Sequence, residues 1–262
     1  MMNVLSEILR LKRPRIEEAK RQFKIQNSKF EIDERRPPHR LRAALQNQNR
    51  LNIIAEIKRA SPSKGVINEK IDVAETARDY ERGGACAISV LTEEDKFQGS
   101  LEDLKTARRQ VSLPILRKDF IFDEFQIYEA ASAGADVILL IAAMLDDETL
   151  LRLRRLTEDE LNMDALVEVH TSEELERAKK IGAALIGVNN RDLHSFKVSL
   201  DVSRALVKRA PADAFMIAES GLRTREDLLE LKELGFHGFL IGETLMRSEN
   251  AENELKKLIE LR

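Results

Sequence analysis

The sequence has a single cysteine, Cys86, in 262 residues, so no disulfide can form within the chain. Such usage is typical of proteins in a reducing compartment, and we expect a cytoplasmic location. The longest apolar run, VILLIAAML at 137–145, is about half the length that a helix needs to span a bilayer. The amino terminus, MMNVLSEILRLKRPRIEEAKRQ, lacks the apolar core and small-residue cleavage site of a secretory signal, and it predicts an amphipathic helix. We therefore expect no membrane partner.

Several functional signatures are also missing. Charged residues make up 34% of the chain but the net charge is only -3, which does not favour binding to nucleic acid. There is no HExxH or paired-cysteine motif, and the four histidines lack metal-ligand spacing, so we expect no metal and no other cofactor. No G-x-S-x-G motif supports a serine nucleophile. The histidines are His39, His170, His194 and His237, of which we expect only His170 near a site, as a packed or supporting residue.

What the chain does have is a repeat. Charged stretches with helical spacing, such as VAETARDYERGG and SEELERAKKIGA, alternate with eight apolar runs of strand length. The runs begin roughly every 20 to 32 residues, which is the size of a β/α unit. The pattern predicts an α/β protein with a single (β/α)8 TIM barrel over residues 51–262. The eight runs lie at 53–58, 85–92, 114–120, 136–143, 164–170, 184–190, 214–220 and 238–244.

An open doubly wound sheet is the alternative fold, but it usually carries a G-x-G-x-x-G turn after its first strand, and none is present. Residues 1–50 fall outside the eight units. The stretch ERRPPHR at 34–40 breaks this segment before LRAAL. We expect residues 1–50 to be a helical extension that caps the barrel rather than a second domain.

Polar residues collect at the ends of the apolar runs. Glu56 and Lys58 are two positions apart, so they share one face of their strand. Active sites of this fold lie at the carboxyl ends of the strands, where such residues converge. Each one alone could form a structural ion pair, but seven at the ends of five strands favour a catalytic site. They are Glu56, Lys58, Lys118, Glu168, Asn189, Glu219 and Ser220.

Glycines follow the last two runs, in ESGLRT at 219–224 and FLIGETLM at 239–246. Loops at these positions of a barrel often hold phosphate, because glycine lets backbone N–H groups approach an anion at the start of a helix. Either glycine alone is more often a simple turn. Together, Gly221 and Gly242 favour a phosphate ester as the substrate.

These segments carry a family resemblance. IIAEIKRASPSKG, SVLTEEDKFQGSLEDL, LPILRKDFI, LVEVH, IGVNNRDL, AESGL and FLIGETLM resemble, in this order, the indole-3-glycerol phosphate synthases of tryptophan biosynthesis. The match spans about residues 51–247, and residues 1–50 resemble the family only loosely. The resemblance implies closure of the indole ring of 1-(2-carboxyphenylamino)-1-deoxyribulose 5-phosphate, with loss of carbon dioxide and water. It also implies that no cofactor or metal is used.

Catalytic roles follow from the resemblance. Lys118 is similar to the general acid of ring closure, and we expect burial in the mouth to lower its pKa. Glu168 resembles the general base of the dehydration. Lys58 resembles the lysine that contacts the substrate and acts as an acid in the dehydration, with Glu56 holding it in place. Whether Glu56 or Glu168 takes the final proton stays open.

Binding roles come from the same source. Arg191 and Ser61 resemble the residues that hold the anthranilate carboxylate, a task suited to a planar guanidinium. Lys96 departs from many relatives, which carry a second aromatic there, so the aryl packing is less certain than the chemistry. The residues implied to orient the sugar hydroxyls are Asn189, Glu219 and Ser220. The implied walls for the aryl ring are Phe97, Phe120 and Leu139. The implied phosphate site is Gly221, Gly242 and Glu243, the last through its backbone N–H.

Two rival functions are considered. Another phosphate-binding barrel enzyme, such as phosphoribosylanthranilate isomerase, would share the glycines but not the set Glu56, Lys58, Lys118 and Glu168. A catalytically silent barrel could instead bind RNA or a protein through RLKRPR at 10–15, although such runs are usually solvated helix faces. We expect a monomeric enzyme that acts on a small phosphorylated molecule.

Overall fold

A computed structural model describes residues 4–26, 29–33, 35–193 and 195–259, so His194 lies outside the described residues. The chain alternates strands with helices after residue 52. Within the described ranges the strands are β1 (Ile53–Ile57), β2 (Ala60–Ser61), β3 (Gly65–Val66), β4 (Ala87–Leu91), β5 (Ile115–Lys118), β6 (Val137–Ile141), β7 (Asp164–Val169), β8 (Leu185–Asn189), β9 (Phe215–Glu219) and β10 (Gly238–Ile241).

Eight of these strands close into a parallel barrel in the order β1-β10-β9-β8-β7-β6-β5-β4. The ring is completed where β1 pairs with both β10 and β4, with Ile54 opposite Leu240 on one side and Ala87 on the other. The two remaining strands, β2 and β3, form a short antiparallel hairpin after β1. The predicted (β/α)8 barrel is therefore confirmed.

Helices connect consecutive barrel strands and pack on the outside. Several begin at a side-chain cap, and α5 and α9 begin with complete capping boxes at Asp123 and Thr224. The helices are α1 (Val4–Ile25), α2 (Arg40–Leu45), α3 (Val73–Arg82), α4 (Leu101–Gln110), α5 (Glu124–Ala133), α6 (Asp147–Arg155), α7 (Ser172–Lys180), α8 (Asp201–Leu206), α9 (Arg225–Glu233), α10 (Glu243–Arg247) and α11 (Ala251–Ile259).

Side chains alternate between two apolar cores along each barrel strand. On β6, Val137, Leu139 and Ile141 belong to the core inside the barrel, whereas Ile138 and Leu140 belong to the core between barrel and helices. The same period of two continues to the strand ends. Polar residues at the strand ends that occupy inward-facing positions of this alternation therefore point into the mouth of the barrel.

The two amino-terminal helices contact opposite rims. On α1, Lys12 forms a buried ion pair of 2.7 Å with Asp119, which directly follows β5. On α2, Leu41 and Leu45 are fully buried, and the Leu41 N–H donates to Asp164 at the start of β7 (2.8 Å). These contacts support the proposal that residues 1–50 extend the barrel. None of the described helices is long and apolar enough to cross a membrane.

Candidate active site

A cavity of about 770 Å³ opens at the carboxyl ends of the barrel strands. All the residues predicted from the sequence to form the site line this one cavity. They are Glu56, Lys58, Ser61, Phe97, Lys118, Phe120, Leu139, Glu168, Asn189, Arg191, Glu219, Ser220, Gly221, Gly242 and Glu243. The barrel thus gathers residues that are far apart in the chain; their individual roles stay predictions.

Lys118 lies at the centre of the charged part of the cavity. Its Nζ is 2.7 Å from Glu168 Oε2 on β7 and 3.2 Å from Glu219 Oε2 on β9. Both carboxylates are almost fully buried. Asp119, the next residue along the chain, could have been a structural ion-pair partner for Lys118, but it pairs with Lys12 on α1. Lys118 is therefore shared by two carboxylates inside the mouth.

The expected low pKa of Lys118 is wrong. Burial alone would lower it, but the negative charges of Glu168, Glu219 and Glu56 outweigh burial and raise the pKa of Lys118 above its ordinary value. The sequence indicated the desolvation but not the number of carboxylates that would meet this lysine. The surrounding carboxylates therefore favour the charged ammonium form of Lys118.

The two carboxylates around Lys118 titrate differently. Burial opposes ionisation of Glu168, but Lys118 and His170 overcome it and lower the pKa of Glu168 below its usual range. Burial and the negative Glu168 together raise the pKa of Glu219, against the pull of Lys118. These opposite shifts favour Glu219 as the member that keeps a proton shared by the pair and Glu168 as the ionised member.

Glu56 and Lys58 meet on the inner face of β1, as their spacing predicted. Lys58 Nζ is 2.5 Å from Glu56 Oε1, and the pair is mostly buried. The Tyr80 hydroxyl donates to the backbone carbonyl of Glu56 and so holds this end of the strand (3.0 Å). A side chain at Gly242 would place its Cβ 2.4 Å from Glu56 Oε1, so the glycine is needed for the carboxylate to fit.

Glu219 and Ser220 depend on unusual local structure. A Cβ at Gly187 on β8 would lie 2.1 Å from Glu219 Oε1, so the missing side chain there makes room for the carboxylate. Ser220 has a φ of 64° and Gly221 a φ of 83°. A left-handed serine is uncommon and such residues cluster at functional sites. This turn places Ser220 and Gly221 on the cavity wall.

Another part of the cavity is lined by apolar and cationic side chains. The rings of Phe97 and Phe120 are tilted, with centroids 6.1 Å apart. The Arg191 guanidinium donates to Ser63 Oγ at 3.1 Å, so it is held by the loop after β1. The predicted partner, Ser61, lines the cavity as well. The two rings and the Arg191 guanidinium thus line the same cavity.

Sequence reasoning missed other residues on the cavity wall. Val4 and Leu5 come from α1, and only the fold could have shown that α1 reaches the mouth. Phe196 has a φ of 57° in the loop after β8 and also lines the cavity. Arg223, in the ESGLRT segment already singled out, is a cation that the phosphate prediction could have included.

Basic side chains of α1 form contacts with residues of the barrel. Lys12 is buried against Asp119, Arg13 stacks over the Phe122 ring at 4.9 Å, and Arg15 pairs with Asp95 at 2.9 Å. These contacts argue against an RNA-binding arm. Among the described residues no group of histidine, cysteine or acidic side chains could hold a metal ion. His170 lies beside Glu168 but does not line the cavity.

The fold and cavity define a (β/α)8 barrel with charged side chains gathered at the carboxyl ends of its strands, where barrel enzymes have their active sites. Solved structures agree on the fold. The chain superimposes on a thiamine phosphate pyrophosphorylase from Pyrococcus furiosus with a TM-score of 0.59 at 20% identity, covering 82% of this chain and 95% of that one. For an N-acetylmannosamine-6-phosphate 2-epimerase from Clostridium perfringens the TM-score is 0.60 at 17% identity, covering 83% and 95%.

Sequence relatives settle the particular family. The indole-3-glycerol phosphate synthase family model matches residues 5–258. The chain is 46% identical to the indole-3-glycerol phosphate synthase of Carboxydothermus hydrogenoformans, covering 97% of this chain and 99% of that one. It is 43% identical to the synthase of Legionella pneumophila, covering 99% of each.

The chain belongs to the indole-3-glycerol phosphate synthase family. This confirms the resemblance seen in the sequence, and with it the class of enzyme, a decarboxylating carbon–carbon lyase of tryptophan biosynthesis. It also decides against phosphoribosylanthranilate isomerase, the alternative that shared only the phosphate-binding features.

Proposed function

We propose that this cavity closes the indole ring of 1-(2-carboxyphenylamino)-1-deoxyribulose 5-phosphate, with Lys118 as the acid of the first step. The observation that carries the proposal is the position of the Lys118 ammonium group between Glu168 and Glu219, with the pair Glu56 and Lys58 in the same mouth. Two acid and base pairs fit a reaction that protonates a carbonyl and later removes a hydroxyl and a proton.

Lys118 serves as an acid although its pKa is raised. A charged lysine donates a hydrogen bond to the ribulose carbonyl oxygen before reaction. As the aromatic carbon attacks, this oxygen becomes an alkoxide, which is a far stronger base than the carboxylates that surround Lys118. The proton then moves to the alkoxide, and the fixed charge stabilises the oxyanion as it develops.

Glu168 is available as a base because it is ionised. Its negative charge also stabilises the positive charge on the ring nitrogen once the ring has closed. Lys58 then protonates the departing hydroxyl in the dehydration, held in place by Glu56. Glu56 and Glu168 are both candidates for the final proton, and comparing single Glu→Gln variants at the two positions separates them.

The substrate's ends match the rest of the cavity. The anthranilate carboxylate faces Arg191 and Ser61, and its ring lies between Phe97, Phe120 and Leu139, which orient it for attack. Asn189, Glu219 and Ser220 take the sugar hydroxyls. The phosphate lies at the turn Ser220–Gly221 and at Gly242, where Glu243 begins α10 and offers its backbone N–H.

We further propose a monomeric, cytoplasmic enzyme without a cofactor that binds no nucleic acid or membrane. A complete set of predicted site residues comes from one chain, so no second copy is needed to build the cavity. The only cysteine, Cys86, is buried, and burial raises the pKa of its thiol to about 12, which keeps it out of thiolate chemistry. Light scattering of the purified protein tests the monomer.

The activity test is turnover of the carboxyphenylamino substrate, followed by the absorbance of the indole product. Lys118→Ala should lower kcat by about 100-fold or more, the range expected for loss of a general acid. Lys180→Ala is a matched control, because Lys180 is 75% exposed on α7 and does not line the cavity. Nearly unchanged turnover by Lys118→Ala would remove the assignment of the acid.

A further inference from the structure

The ring of His170 lies between two carboxylates just behind the active site. It follows β7 two positions after Glu168 and so points to the same face. Its Nε2 is 3.4 Å from Glu168 Oε1 and its Nδ1 is 3.2 Å from Glu174 Oε2. The side chain is only 10% exposed and does not line the cavity, so it can affect the substrate only through Glu168.

Glu174 is itself held in place. It lies in the first turn of α7, and its Oε2 accepts a hydrogen bond from the backbone N–H of His170 (2.7 Å) as well as facing the ring. Its own N–H is capped by the Thr171 hydroxyl (3.2 Å). The strand end, the helix cap and the ring therefore form one rigid unit.

This geometry favours a charged ring. A neutral imidazole has one N–H, so one of its nitrogens would turn a lone pair toward a carboxylate. Nδ1 hydrogen-bonds Glu174, whereas Nε2 is buried, makes no hydrogen bond and lies 3.4 Å from Glu168 Oε1. Burial would lower the pKa of His170, but Glu174, Glu168 and Glu219 together raise it. The protonated ring then places a positive charge close to both carboxylates.

A charged His170 makes the two carboxylates around Lys118 unequal. Glu168 has Lys118 at one oxygen and His170 at the other, whereas Glu219 has Lys118 at Oε2 and no partner at its buried Oε1. Lys118 also lies closer to Glu168 than to Glu219, and Asn189 hydrogen-bonds Glu168, so His170 adds to groups that already favour the ionised form of Glu168.

We propose that His170, oriented by Glu174, is a positioning residue that keeps Glu168 ionised as the base and leaves the shared proton on Glu219. The proposal rests on the proposed role of Glu168. It adds a residue that never touches the substrate, and it explains how two nearly equivalent carboxylates acquire different tasks.

The first test is the pH dependence of kcat in His170→Gln. A group whose pKa is depressed in the folded enzyme is lost as a base when the pH falls through that value. Removing the cation should raise the pKa of Glu168, so the acid-side midpoint of kcat should move up by about one unit, the lower end of the effect of a nearby opposite charge. KM should change less than kcat. A midpoint equal to that of the wild type, whatever the rate, would overturn the proposal.

Glu173→Gln is the matched control, since Glu173 is the exposed neighbour of Glu174 and its substitution removes the same negative charge as Glu174→Gln would. It should leave the profile unchanged. If His170→Gln does not fold, Glu174→Gln carries the test. The amide oxygen of the glutamine can still accept a hydrogen bond from the ring, but the substitution removes the negative charge that favours the imidazolium. The midpoint should therefore move in the same direction. No movement would overturn the proposal equally.

A second measurement is independent of turnover. Nitrogen-15 NMR of the histidine rings in the wild type should show both nitrogens of His170 protonated at pH 7, with the signal assigned by its loss in His170→Gln. A neutral ring at that pH would overturn the proposal. Full activity in Glu168→Gln would instead refute the role of Glu168 while leaving the ring's charge as measured, so the two failures can be told apart.

Discussion

Substituting Gly187 by alanine should perturb the active site through a single contact. The new Cβ would lie 2.1 Å from Glu219 Oε1 and 3.2 Å from Leu166 Cδ1, where ordinary contact begins at 3.4 Å. The Glu219 oxygen would therefore have to move by about 1.3 Å, the difference between 3.4 and 2.1 Å. Such a shift disturbs the 3.2 Å contact between Glu219 and Lys118.

The expected cost in the free energy of unfolding is about 1 to 3 kcal/mol, as for other overpacked cores. It is offset by roughly 0.4 to 1 kcal/mol, because alanine restricts the unfolded chain at a position that does not need positive φ. In a Glu219→Ala background the clash disappears. The same substitution at Gly187 should there be neutral or slightly stabilising.

A double-mutant cycle measures this coupling directly. Urea unfolding of the four proteins, followed by far-ultraviolet circular dichroism because the chain has no tryptophan, gives the four free energies. We expect a coupling of about 1 to 2 kcal/mol between Gly187 and Glu219. An equal penalty in both backgrounds would refute the reasoning and place the strain at Leu166 or the backbone.

Three further predictions concern the rims of the barrel. Lys12→Met should destabilise the protein by about 2 to 4 kcal/mol in urea unfolding, because it leaves the buried Asp119 without its closest cation. A loss below about 0.5 kcal/mol would show that Arg117 alone suffices to neutralise Asp119. Burial opposes ionisation of Asp119, but Lys12 and Arg117 lower its pKa to about 2, so its contribution is present above about pH 4 and should be lost as the pH falls toward 2. The unfolding free energy of the wild type should show this decline in acid, and Lys12→Met should flatten it. Arg191→Ala should raise KM by about tenfold or more with a smaller change in kcat, in steady-state turnover, since it removes the contact proposed for the substrate carboxylate. An unchanged KM would place that carboxylate elsewhere.

The barrel, and the convergence of the predicted residues on one cavity, could both be predicted from the sequence. Eight apolar runs of strand length fix the number of strands, and the period of two decides that Glu56 and Lys58 point the same way. Convergence of the carboxyl ends then follows from closure of the ring. Residues on connecting segments were harder to find: Val4 and Phe196 enter the cavity because of where α1 and a loop lie, and nothing local to either residue indicates it.

Protonation states lie beyond what a sequence pattern can give, and Lys118 shows why. Burial and opposite charge act on its pKa in opposite directions, so the sign of the shift depends on how many carboxylates come within a few ångströms. That number is set by side chains on β7 and β9, which are fifty and about a hundred residues away along the chain. Lys118 and Glu168 face each other because their strands end on the same rim, and His170 joins them only because the next helix begins where Glu174 can hold it. The residue types could be identified in advance, but the different roles proposed for Glu168 and Glu219 depend on distances that only the closed barrel determines.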